Sequence, residues 1–119
     1  MNIAAMLELK GWLEAGAPHV RFDIDMGYVT ESCGTAVCIA GSCIVLSGQA
    51  AKFDGSGGGA DWFKVAAAAL EWLDLPDNGT LYGHRLFAAD LAPANCTPAQ
   101  AALAVQNVID GKQPWEGVE

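Results

Sequence analysis

The chain has 119 residues, with six Lys and Arg against fourteen Asp and Glu, for a formal net charge of -8 at pH 7. That length suits one hydrophobic core over residues 1–119 and is short for two, and a hydrophobic fraction of 52% argues against general disorder. The acidic balance has the wrong sign for ordinary phosphate-backbone binding, so no direct nucleic-acid contact is expected. The charged fraction of 17%, below the roughly 25% usual for soluble domains, points to a partly covered surface and to self-association as a homodimer.

The amino end carries Glu8 and Lys10 inside its apolar pattern and lacks a basic segment followed by a pure apolar stretch, so the expected location is cytoplasmic. Ala5, Met6, Leu9, Trp12 and Leu13 recur at helical spacing, and Gly16 with Pro18 supplies a stop, which predicts a helix over 3–15. In VRFDIDMGYV, Val20, Phe22, Ile24 and Met26 alternate with Arg21, Asp23 and Asp25, the period of one strand or extended segment. Thr35 is placed to cap a helix over 36–46 that Gly48 ends. This helix is apolar on every side and hence central, and it is well short of the ~20 residues of a membrane span, so no membrane partner is expected.

The segment KFDGSGGGADW holds four glycines between residues 55 and 59 and reads as a loop; it lacks the Lys-Ser/Thr ending of a phosphate-binding P-loop. Asp61 then caps a helix with Trp62, Val65, Ala66, Ala69, Leu70 and Leu73 as its inward stripe, broken by Pro76 and Asn78-Gly79. A shorter helix is expected around LYGHRLFAADL. The last is the best marked: Thr97, Pro98 and Gln100 form a capping box with proline at the first helical position, Gly111 closes it, and Ala101, Ala102, Val105, Val108 and Ile109 face inward. Trp115 is expected to fold back onto the bundle. The expected fold is mainly α, with a small α+β arrangement as the variant: a single-domain bundle of about four to five helices around a buried central helix, with one short strand or extended segment.

Cys33, Cys38 and Cys43 are spaced five residues apart. In a helix that step turns a side chain by about 140°, so Cys38 and Cys43 are expected on well-separated faces, and no metal or other cofactor is expected. Cys43 reads as a small buried hydrophobe, and Cys96 has no local partners. Cys33 and Cys38 flank the expected helix start, where the dipole favours a thiolate. There CGTAVC is similar to the loop-then-helix arrangement around the nucleophile of papain-like enzymes. His84, with Asp90 or Asn95, would then serve as base and orienter.

A broader likeness covers most of the chain from residue 20 onward. RFDIDMGYVTESCGTAVCIAGS resembles the signature of a family of small proteins of unknown function, found in bacteria and their phages, that carry an FDMG, aromatic, short loop, CGT-x-x-CIAG pattern. Later segments HRLF and TPAQAALAVQNVIDGKQPW resemble that family's closing stretches. Asp25 lengthens the first segment here, and Ser42 stands where an aromatic or histidine is expected. The resemblance implies a mostly helical fold and an origin in a mobile element.

Two functions follow as expectations. One is a small acidic inhibitor of anti-CRISPR or anti-restriction type that occludes a basic protein surface of a host nucleic-acid-handling complex. Its contact residues would be Asp23, Asp25, Glu31, Asp54 and Asp61. The other is a cysteine-dependent hydrolase or transferase using Cys33 or Cys38 with His84 and Asp90.

Overall fold

A computed structural model describes residues 1–25, 27–31, 34–53, 61–80 and 82–119, with residues 30, 31 and 34 described by their backbone alone. Met26, Cys33, Asp54, the glycines of 55–59 and the side chain of Glu31 therefore lie outside the described residues.

Helix α1, Ile3–Glu14, starts where the Asn2 side chain accepts the Ala5 N–H, and it buries Ala5, Met6, Leu9 and Leu13. The Asn2 N–H itself donates to the Leu73 carbonyl at 2.8 Å, which ties the start of α1 to the end of a later helix. The chain then turns through residues 16–19, where Gly16, Ala17 and His19 have positive φ.

Three short strands follow: β1 Arg21–Phe22, β2 Tyr28–Glu31 and β3 Gly34–Val37, in the order β1-β3-β2. β1 runs parallel to β3 with Arg21 opposite Ala36, and β2 runs antiparallel to it with Val29 opposite Ala36. The sheet corrects two expectations. Among the described residues of the alternating segment, 20–25, only Arg21 and Phe22 form strand, because Asp23 turns the chain: its Oδ1 accepts the Asp25 N–H at 3.0 Å. Residues 35–37 are the centre of the sheet and not the first turn of a helix, so Thr35 caps nothing.

Helix α2, Ile39–Leu46, begins immediately after β3, with Cys38 in extended conformation at its N-cap, and it buries every residue from Ile39 to Ile44. It contacts α1, the next long helix and the sheet, the central position that its all-round apolarity predicts. A short helix α3, Ala50–Phe53, follows. In α4, Trp62–Leu73, the Asp61 carboxylate accepts the Phe63 N–H, and Val65, Ala66, Ala69, Leu70 and Leu73 are buried. In place of the helix expected around residues 81–91, the described residues 82–91 make a 3₁₀ turn, Arg85–Phe87, and no α-helix. Helix α5, Pro98–Ile109, carries the complete capping box of Thr97 and Gln100 and packs against α1. Trp115 does return to the body of the protein: its indole N–H donates to the Arg85 carbonyl at 3.0 Å. Among the described residues the fold is thus five α-helices and a small three-stranded sheet, their buried side chains joined in one cluster. None of these helices is long and apolar enough to cross a membrane.

Candidate functional site

The acidic edge expected at Asp23, Asp25, Glu31, Asp54 and Asp61 is described at three of its carboxylates. Asp23 and Asp25 are brought together by their side-chain turn, and both line a cleft of about 310 Å³ with Phe22, Ile24, Asn95 and Cys96. The described residues on either side of position 26 are anchored, since the Asp23 N–H donates to the Val37 carbonyl at 2.8 Å and the Gly27 carbonyl accepts the Cys38 N–H at 2.9 Å. The edge is not purely negative: Arg21 Nη1 lies 3.2 Å from Asp23 Oδ2 in a half-exposed pair. Asp25 is exposed, and among the described residues no cation pairs with it. Asp61 is exposed too, but its carboxylate is engaged in capping α4.

The cysteine alternative rests on Cys38, because Cys33 is outside the described residues. Cys38 is 1% exposed. Burial pushes its thiol above the usual value, and the backbone groups of Gly41, Ala40 and Gly27 oppose this less strongly. The side chain makes no capping hydrogen bond to α2, so the pull of the helix start on the thiol remains the weaker effect. Cys43 is raised well above its usual value by burial first and by the charge of Cys38 second. Cys38 precedes the helix in extended backbone, so the helical rotation does not apply to it. Cys96 is pushed up to about 11 by burial.

His84 is placed by the 3₁₀ turn. Its Nδ1 accepts the Leu86 N–H at 3.0 Å, so the neutral ring carries its proton on Nε2. Burial first, then the charge of Arg85, hold it below its usual value. Among the described residues no hydrogen bond joins His84 to a cysteine or to Asp90, which is exposed. Nor do three His, Cys, Asp or Glu side chains there converge on a position that would hold a metal ion.

His84 instead lines a cleft of about 360 Å³ with Asn78, Arg85, Val108, Gly111, Lys112, Gln113 and Pro114. Sequence reasoning missed Arg85 and Lys112 as a pair. They are far apart in the chain, and only the return of the tail after α5, fixed by Trp115, brings them to one cleft. The one usable signal was the scarcity of cations: two of only six Lys and Arg line this cleft, and no acid does.

Comparison of the chain with family models, with curated proteins and with solved structures gives no match.

Proposed function

We propose that the protein is a non-catalytic binding protein whose Asp23–Asp25 edge docks on a basic protein surface. In finer detail, it is an inhibitor of anti-CRISPR or anti-restriction type that covers the nucleic-acid groove of a host complex. The observation that carries this reading is the presentation of two carboxylates: Asp23 is bonded to β3 and its side chain to the Asp25 N–H, while Gly27 is bonded to the start of α2, so little conformational freedom is lost when the edge docks. The net charge of -8 adds long-range attraction to a Lys- and Arg-rich groove, chiefly through the association rate. The resemblance to small bacterial and phage proteins supports the same setting. The buried Cys38 thiol weighs against the hydrolase alternative.

The test is capture of a partner from a host lysate, followed by association measurements with Asp25→Lys combined with Asp23→Asn. The asparagine keeps the oxygen that accepts the Asp25 N–H, so the turn survives while the charge is reversed. Association slowed at least tenfold at 0.1 M salt, with an unchanged melting temperature and a smaller difference at 1 M salt, supports the edge as the docking surface. An unchanged rate removes it.

A further inference from the structure

The cleft lined by His84, Arg85 and Lys112 has no part in the proposed docking edge. In a chain that carries -8 overall, Lys10 is held by Glu14 and Arg21 by Asp23, whereas Lys52, Lys64, Arg85 and Lys112 have no ion-pair partner among the described residues, and of these four Arg85 and Lys112 share one cleft. None of the acids near in sequence lines the cleft, the exposed Asp90 and Glu116 included. Asp110 Oδ1 accepts from Gln106 Nε2 at 3.0 Å, and Asp77 lines a separate cleft with Phe63 and Gly83.

The walls are tied together before any ligand arrives. The Asn78 N–H donates to the Gly83 carbonyl at 2.7 Å, Trp115 Nε1 donates to the Arg85 carbonyl, and Asn107 Nδ2 donates to the carbonyls of Pro114 and Glu116, both at 2.9 Å. The carboxyl end of α5 would ordinarily repel an anion, but the carbonyls of Asn107 and Val108 there are occupied. Gly111, at φ +77°, donates to Val108, and Lys112 donates to Asn107 at 2.8 Å. With Nδ1 of His84 engaged by Leu86, the ring has its Nε2–H left to donate. The amides of Asn78 and Gln113 add donors, and the buried Val108 and Pro114 supply an apolar wall.

We propose that this cleft is a binding site for a small phosphate-bearing molecule, with Arg85 and Lys112 matching its charge. A phosphate monoester carries about -1.5 to -2 at pH 7, the charge that two cations neutralise, whereas a simple carboxylate leaves one of them unmatched. The volume of about 360 Å³ holds the phosphate and a small organic group against Val108 and Pro114.

The experiment is a titration of the full chain, followed by nuclear magnetic resonance at the Trp115 indole N–H and the His84 ring, at constant ionic strength. The probes are inorganic phosphate, phenyl phosphate and acetate. Expected are saturable shifts with either phosphate at millimolar concentration and acetate weaker by about tenfold. Arg85→Gln and Lys112→Gln should each weaken phosphate by about tenfold, while Lys64→Gln, on α4 outside the cleft, should leave it unchanged. Phenyl phosphate binding at least as tightly as phosphate identifies an ester as the ligand; tighter inorganic phosphate identifies the free ion. The proposal is overturned by an absence of saturable shifts, by acetate binding equally tightly, or by an undiminished response in Arg85→Gln/Lys112→Gln. None of these outcomes depends on the acidic edge.

Discussion

Gly41 lies so close to Gly27 that a Cβ on Gly41 would collide with the Gly27 carbonyl oxygen. The same oxygen accepts the Cys38 N–H at 2.9 Å, so it cannot move aside without losing that bond. Gly27 has φ +65°, and the Trp62 ring lies against it, 3.5 Å from where its own Cβ would be. The Gly27 turn, the start of α2 and the first residue of α4 therefore meet at one point. This gives a physical reason for glycine at both positions.

Gly41→Ala should accordingly destabilise the fold by about 3 kcal/mol or more, the upper end of overpacking costs, since the obstructing atom is backbone. Gly48→Ala is the comparison. Its φ is +75° but no atom lies within 4 Å of the added Cβ, so only the left-handed backbone cost of about 1–2 kcal/mol applies. Denaturant unfolding of both variants measures the difference, and equal losses would refute the close contact.

This junction also shows where the sequence was legible and where it was not. α1, α4 and α5 are legible because their buried stripes follow the helical period, and Asp61 and Thr97 with Gln100 mark the starts of α4 and α5 as side-chain caps, as Asn2 does for α1. β3 and α2 could not be separated, because Ala36 through Ile44 is one apolar run. A short buried strand and a buried helix give the same absence of periodicity. β2 escaped notice because its signal lies in pairing with β3, not in its own pattern. The 3₁₀ turn was overextended because its cap is a histidine accepting from Leu86, an interaction without a sequence rule. Of the candidate residues, the Asp23–Asp25 pair was legible from alternation, while the Arg85–Lys112 cleft exists only through the tail.

The buried thiols give a second prediction. In a Cys33→Ser background, Cys38 and Cys43 should react with an alkylating reagent near neutral pH only through unfolding, because both are buried and both are held above the usual thiol value. Cys96, also buried and near 11, should be slow too. The rate should rise with added denaturant in parallel with the unfolded fraction. Rapid modification of Cys38 in the native protein would restore the cysteine-dependent reading.

His84 gives a pH dependence whose sign is fixed by its environment. Burial and Arg85 lower its affinity for a proton in the folded chain, so the unfolded chain binds more protons below about pH 6.5. The stabilisation is complete above that value and is lost as pH falls through the folded value. His84→Asn should flatten this part of the stability profile between pH 7 and 5, because an asparagine oxygen still accepts the Leu86 N–H and does not titrate. A profile identical to that of the unaltered protein would show that His84 takes up its proton freely in the fold.

The last prediction concerns the tail. Trp115 reaches back through one hydrogen bond, from its indole N–H to the Arg85 carbonyl, while its ring is half-buried against the core. Trp115→Phe keeps most of the apolar contact and deletes the donor, so it should cost about 1 kcal/mol, the net worth of one such bond. Trp115→Ala removes the contact as well and should cost about 3 kcal/mol or more, at the level of large-to-small core changes. Amide exchange separates the local consequence from the global one: in Trp115→Phe, exchange should quicken at residues 112–118 while the interior of α2 stays protected. Equal acceleration in α2 would show that the tail is part of the cooperative core and not a strap closed over it.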